Sequence, residues 1–447
     1  MAAVVNNTFV SINDIQVFCS PDQYKQQLLQ LIANARTRIY ITALYLQDDD
    51  AGKEILHALY QAKTNYPTLD IKVFVDFHRA QRGLIGEKNS LGNRALYLAL
   101  ENQYDVSIDI YGVAVKSKEV FGVLHLKGMF FDDQVFYTGA SINDIYCNQH
   151  GRYRLDRYYL IKSAVLADTL CKYLTANFLD TNLAPRLNGG KLPDKAEQKH
   201  IIQQLKMLVK KAHYSLSKRN LLVDEKITLQ DNITITPLVG CGARGNQLNK
   251  AIRKVVQKTK TELLILTPYF NLPKSLAKDV NKALKRGVKV TLIIGDKTAN
   301  DFYISPEKPF TTIGIVPYLY EVLLARYVKK QKRNIDKGLL NIRLWKDADN
   351  SFHLKGLVSD SRHHFITGSN LNPRAWALDL ENGLLIDDKQ GQLMPAFEQE
   401  WAGLVKNTQL ITHYNEIDQI KDYPEKPRNL LKKLRVVQID RLLKRFL

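Results

Sequence analysis

The chain of 447 residues is 45% hydrophobic and 24% charged, and its 64 lysines and arginines against 45 acidic residues give a formal net charge of +19. That length exceeds one ordinary core and suits two domains of about 200 residues each, while the composition excludes a disordered chain. The excess of positive charge predicts a polyanionic partner, nucleic acid or an anionic lipid surface, without choosing between them.

In chain order, the opening MAAVVNNTFVSINDIQVF lacks a basic segment followed by an apolar run, and no stretch of about 18 uncharged apolar residues follows anywhere. Neither a standard export signal nor a membrane span is expected. RIYITALYL at 38–46 reads as a strand, AGKEILHALYQAK at 51–63 as a helix and IKVFVDFHR at 71–79 as a second strand. DVSIDIYG (105–112), HLKGMFFDD (125–133), GASIN (139–143) and DRYYLI (156–161) complete the first half. Residues from about 180 to 235 are polar and basic: NGGKLPDKAEQKH reads as a linker and KMLVKKAHYSLSKRN as a helix. A domain boundary near residue 190 follows.

The same series then recurs. ELLILTPYF (262–270), LPKSLAKDVNKALKRG (272–287) and VKVTLIIGDK (288–297) repeat strand, helix and strand. NIRLWKD (341–347), HLKGLVSDS (353–361), GSNLN (368–372) and ENGLLI (381–386) match the later elements in the same order. An ordered recurrence of this kind marks a duplicated α/β domain, 1–190 and 191–447. Its apolar strands predict mixed, largely parallel sheets flanked by helices, with one active site at the interface of the halves. The aromatic segments PYF (268–270) and NDFYI (300–304) read first as core packing, with an acyl-chain entrance or a cytidine pocket as the functional reading. The basic stretch RYVKKQKRNIDKG (326–338) precedes the second motif. Cys19, Cys147, Cys171 and Cys241 form no C-x-x-C pair, so zinc sites and a disulfide framework are not indicated and the thiols read as free, in a reducing cytosol.

The tail 428–447 carries seven basic residues against the single acid Asp440, with Leu431, Leu434, Ile439, Leu442 and Phe446 spaced approximately along one helical face. Two readings stand: an interfacial membrane helix, or a helix packed on the body with a solvated basic face.

A histidine two residues before a lysine carries no weight alone. Here the pair recurs in context: His125 with Lys127 and His353 with Lys355, each followed by an aspartate seven residues after the histidine, Asp132 and Asp360. A glycine-led turn follows, with Asn143 and Asn372 four residues past the glycine. If H-x-K lies on a strand, imidazole and ammonium share one face, and two such strands supply a phosphate site with a nucleophile and an acid. Asp156 and Glu381 follow at equivalent places and could each hold the imidazole nitrogen turned away from phosphorus. Asp132 and Asp360 read as structural carboxylates at a strand end.

These residues resemble the H-x-K-x-x-x-x-D motifs of the phospholipase D superfamily, and the resemblance extends over most of the chain. It implies two phospholipase D-like halves and a covalent phosphohistidine intermediate formed without metal or cofactor. His125 is then the nucleophile and His353 the general acid and base, a choice that spacing alone leaves open. Lys127, Lys355, Asn143 and Asn372 would hold the phosphate oxygens. The asparagines fall one place later than the family pattern, which leaves Ser141 and Ser369 as substitutes.

The wording of the motifs, together with GDKTANDFYISPEKPF and the basic tail, is similar to a bacterial family of phosphatidyltransferases. That similarity implies CDP-diacylglycerol and L-serine as substrates, a cytoplasmic enzyme peripheral to the inner face of the cell membrane, and ribosome or RNA association, with oligomeric state left open. A nuclease or phosphodiesterase, a cardiolipin synthase-like transferase and a non-catalytic membrane- or nucleic-acid-binding scaffold are the competing readings.

Overall fold

The computed structural model describes residues 7–83, 90–211, 213–216 and 233–436. It separates into two compact units, Met1–Asn249 with Ile366–Gly368 and Leu378–Gln390, and Lys250–Phe365 with Ser369–Ala377 and Gly391–Leu447.

The first unit is built on strands Arg38–Thr42, Asp70–Asp76 and Asp109–Val113, which pair in parallel. Helix Asp50–Asn65 crosses between the first two of these strands. It starts where Asp49 accepts a hydrogen bond from the Gly52 N–H at 3.0 Å, satisfying one of the donors that a helix start leaves open. Its Ile55, Leu56, Leu59 and Tyr60 are fully buried, as their helical spacing requires. On the other side of Arg38–Thr42 the sheet continues antiparallel through Gly128–Phe131, Gln134–Thr138, Tyr158–Lys162 and Ile15–Phe18. Separately, Ile233–Cys241 runs antiparallel to both Thr8–Val10 and Leu380–Asp387.

The second unit repeats the plan. Strands Glu262–Thr267, Lys289–Gly295 and Leu340–Trp345 are parallel neighbours, with Gly356–Ser359 antiparallel to the first and Thr408–Ile411 antiparallel to the third. Helices Lys274–Lys285 and Val316–Asp336 provide the crossovers. The α/β duplication is therefore present, and both sheets are mixed. Among the described residues the main parallel run is three strands in each unit, fewer than the near-continuous apolar runs suggested, and the strands beside it are antiparallel, Gly128–Phe131 returning through a tight turn into Gln134–Thr138.

The units do not follow a cut near residue 190. Ile233–Cys241 and Leu380–Asp387 lie in the first unit because they pair with each other along their length. The helix expected at 206–220 is Lys195–Lys211, and residues 217–232 lie outside the described residues. The basic stretch 326–338 runs into the end of Val316–Asp336, which stops before Gly338 at φ 68°. In the tail, Glu425–Val436 is helical, and Leu431 and Leu434 pack on a cluster that includes Tyr269, Tyr318 and Tyr423. The rest of the expected amphipathic helix, 437–447, lies outside the described residues. No helix among the described residues is long and apolar enough to cross a membrane.

The two motif aspartates do the same work in each unit. Asp132, at φ 49°, accepts hydrogen bonds from the backbone N–H groups of Arg36, Thr37 and Arg38 and from the Thr37 hydroxyl. Asp360, at φ 52°, accepts the equivalent four from Lys260, Thr261, Glu262 and the Thr261 hydroxyl. Each carboxylate thereby fixes the start of its unit's central strand against the end of the strand that follows H-x-K. Burial alone would raise both carboxyls, but the converging donors hold them below the usual carboxylate range.

A carboxyl held lower in the folded than in the unfolded chain stabilises the fold fully above its unfolded pKa, and that contribution disappears as pH falls through the folded value. Asp132→Asn is accordingly expected to cost about 1–2 kcal/mol at neutral pH. Urea unfolding at pH 7 and below pH 4 checks this: the difference between wild type and variant should shrink at the lower pH.

Candidate active site

His125 ends a two-residue strand, Leu124–His125, and Lys127 follows before the next strand begins at Gly128. In the second unit, Ser351–Phe352 and Gly356–Ser359 flank His353 and Lys355 in the same way. H-x-K is therefore a junction between strands, not part of one continuous strand. The break falls at Gly128 and Gly356, at φ 125° and 137°, a region closed to side-chain-bearing residues.

The short strand that carries His125 pairs in parallel with Leu380–Asp387, Leu124 opposite Leu380 and His125 opposite Glu381. Its backbone is held at three further points. Val123 N–H donates to Asp379 Oδ1 at 3.0 Å, Leu124 N–H to Asp76 Oδ2 at 2.9 Å, and Leu380 N–H to Val123 O at 3.0 Å. Asp76 also caps the turn Phe77–Ala80, and burial pushes its carboxyl up to about 6.

This register brings both carboxylate oxygens of the buried Glu381 to 2.9 Å from His125 Nδ1. A carboxylate accepts only, so Nδ1 carries a proton, and in the neutral ring the lone pair resides on Nε2. The next residue, Asn382, grips the backbone of Lys127 from both sides: its Oδ1 accepts the Lys127 N–H at 2.8 Å and its Nδ2 donates to the Lys127 carbonyl at 2.8 Å. Tyr137 and Tyr214 hydroxyls complete the amide's surroundings at 3.3 and 3.2 Å.

The Lys127 side chain is 1% exposed and donates to Ser141 Oγ at 3.1 Å. It passes Gly368 so closely that a Cβ there would lie 2.5 Å from Lys127 Cγ. Gly368 is thus a glycine for clearance, and only the clearance lets the ammonium reach its position.

In the second unit the buried His353 receives the Lys355 ammonium at Nδ1. Its Nε2 lies 3.9 Å from Asp301 Oδ2, and the same Asp301 oxygen accepts the Tyr269 hydroxyl at 2.7 Å. Tyr269 presents its ring to His353 nearly edge-on, with centroids 6.5 Å apart, and stacks on Tyr320 at 5.1 Å. PYF and NDFYI thus include two neighbours of a motif histidine.

The asparagines serve alike in both units. Asn143 Oδ1 accepts the Tyr146 N–H at 3.0 Å while its Nδ2 donates to Tyr45 OH at 3.3 Å. Asn372 Oδ1 accepts the Ala375 N–H at 2.9 Å, and its amide bonds the Tyr320 hydroxyl. Ser369 is buried, and so is Asp156, whose Oδ1 accepts the Arg157 N–H at 2.9 Å. The first unit therefore gathers His125, Lys127, Ser141 and Glu381, and the second places His353, Lys355 and Asp301 together. Motif spacing does not indicate Asn382, Tyr45, Tyr214, Asp301 or Tyr320. Asn382 had a weak signal, since it adjoins Glu381.

The family described as "Cardiolipin synthase, PLD-like domain" matches residues 28–174 and 252–403, one segment for each copy of the motif. The chain belongs to this phospholipase D-like family. Its relatives there include CDP-diacylglycerol–serine O-phosphatidyltransferases: that of Escherichia coli is 43% identical over 98% of this chain and 95% of its own length. That of Haemophilus influenzae is 42% identical over 97% and 94%. The crystal structure of phosphatidylserine synthase from Haemophilus influenzae superposes with a TM-score of 0.92 at 40% identity, covering 99% of this chain and 98% of that one.

Asn382→Ala leaves the N–H and C=O of Lys127 without this partner in a buried place, and a loss of about 2–4 kcal/mol is expected. Urea unfolding measures it. A loss below about 0.5 kcal/mol, within the range of ordinary surface substitutions, would show that Asn382 does not hold this backbone.

Proposed function

We propose that this chain is a CDP-diacylglycerol–serine O-phosphatidyltransferase, with His125 the nucleophile and His353 the general acid and base. The observation that carries the reading is the buried His125–Glu381 hydrogen bond, found in a chain 43% identical to an enzyme of that name.

His125 Nε2 attacks the phosphatidyl phosphorus of CDP-diacylglycerol. The new P–N bond forms as the P–O bond to CMP breaks, and His353 gives its proton to the departing oxygen. The hydroxyl of L-serine then attacks the same phosphorus, losing its proton to His353. The P–N bond breaks, and His125 is regenerated as phosphatidylserine leaves. Atoms and charge balance without metal or cofactor.

The surroundings of the two rings support this division of labour. With Nδ1–H on Glu381, His125 has its lone pair on Nε2, as a nucleophile needs. To give a proton and later take one back, His353 must begin as the imidazolium, and the Asp301 carboxylate 3.9 Å from Nε2 favours that charged form. Glu381 further steadies the charge that His125 acquires as its nitrogen bonds to phosphorus. Lys127 and Lys355, with Ser141, Asn143, Ser369 and Asn372 close to them in the motifs, are the proposed holders of the non-bridging oxygens. Asp156, equivalent to Glu381 in the repeat, is proposed as a second positioning carboxylate. The lipid substrate and the charge of +19 support a cytoplasmic enzyme attached to the inner face of the membrane, while association with ribosomal RNA is a separate expectation from the same charge.

Quenching into alkaline denaturant, where a P–N bond survives, with CDP-diacylglycerol labelled at its phosphatidyl phosphorus and without serine, tests the roles. Label should remain on the wild-type protein, be absent from His125→Ala and persist, slowly formed, on His353→Ala. The reverse pattern would exchange the two histidines, and no label on any of them would exclude the covalent intermediate. Steady-state turnover should fall roughly 10⁴-fold in either variant. Glu381→Gln should lower kcat by about 10–100-fold with little change in KM.

A further inference from the structure

The turn that leads into His125 exposes apolar side chains on a rigid mount. Val120 and Phe121 are 55% and 48% exposed in the short helical turn Glu119–Phe121, and Leu91 is 85% exposed. Single exposed apolar residues need no explanation, but adjacent ones on a fixed turn do. Gly92, next to Leu91 in the chain, packs against the Gln81–Arg82 peptide, where a Cβ would fall 2.8 Å from Arg82 N. The Arg82 guanidinium in turn grips Glu119 with both carboxylate oxygens, at 2.5 and 2.6 Å.

The mount is stiff. His78 Nε2 bonds the Lys116 carbonyl at 2.7 Å, and Gly122, at φ 137°, sits so close to the Leu378 carbonyl that a Cβ would come within 2.3 Å. Asp379 and Asp76 then hold Val123 and Leu124. Arg82 neutralises Glu119 of the tip, and the exposed Lys118, two residues before Val120, leaves the turn positively charged. An apolar point beside a cationic side chain matches the boundary between acyl chains and anionic headgroups.

We propose that Val120 and Phe121 enter an anionic lipid surface and fix the height of the nucleophile above it. Only three residues separate Phe121 from His125, so the two are at most about 14 Å apart along extended chain. A tip seated about 5–10 Å below the headgroups therefore holds His125 close to the level of lipid phosphates. For its catalytic consequence the inference rests on the lipid substrate proposed above.

Partition is read without turnover, which separates the two claims. Sedimentation of the full chain with vesicles of phosphatidylglycerol and phosphatidylethanolamine should show binding about tenfold weaker or worse for Val120→Ser/Phe121→Ser. The same variant should keep its turnover on a short-chain, water-soluble CDP-diacylglycerol. Phe121→Trp should shift its emission to the blue on those vesicles. Unchanged partition and emission would overturn the proposal, as would a variant that changes sedimentation without vesicles and nothing else, which would make the tip a contact between copies of the chain. A chain that binds vesicles through the tip but turns over no CDP-diacylglycerol would sink the transferase reading and leave the tip standing.

Discussion

Two residues of parallel pairing, Leu124–His125 against Leu380–Glu381, are the constraint on which the first half's chemistry rests. The pairing is short, so by itself it contributes little stability. Its value lies in register: it sets a carboxylate from residue 381 against the ring of residue 125, and a slip of one residue would turn Glu381 to the other face of its strand. Asp76, Asp379 and the Val123 carbonyl pin that register from the flanks, each through a backbone hydrogen bond.

From the same register follows the environment of Lys127. Asn382 is the neighbour of Glu381, so the strand that orients the imidazole also clamps the backbone of the lysine two residues on. Burying a lysine to 1% exposure is costly unless its ammonium meets polar atoms or a ligand's negative charge. Ser141 supplies one such atom, and a phosphate would supply the charge. The second unit reaches a comparable grouping by different means, with Lys355 on His353 and an Asp301–Tyr269 pair close by. Equivalent residues thus stand in unlike surroundings, a carboxylate at one imidazole Nδ1 and an ammonium at the other.

Much of this was legible in the chain. The duplicated strand–helix–strand order and both H-x-K motifs are local patterns, and local patterns survive in sequence. The aspartates at 132 and 360 were readable as strand-end residues because they sit where turns begin, although their partners, some 95 to 100 residues earlier, were not. Glu381 was visible only as the counterpart of Asp156. Which histidine it serves depends on the strand it pairs with, and repeat equivalence says nothing about pairing between distant segments. For the same reason a cut at 190 missed that 233–241 and 380–387 fold with the first half. Asn382, Tyr214 and Tyr45 had no spacing to betray them, since each acts across a contact of roughly 100 to 250 residues.

The central claim is a protonation pattern, and ring nitrogens report it directly. With histidine labelled with nitrogen-15 and the His125 signals assigned through His125→Gln, long-range proton–nitrogen correlation at neutral pH distinguishes the two tautomers. The account predicts a protonated Nδ1 and an unprotonated Nε2 for His125, with the pattern disturbed in Glu381→Ala. A His125 ring protonated on Nε2 and bare on Nδ1 would contradict it.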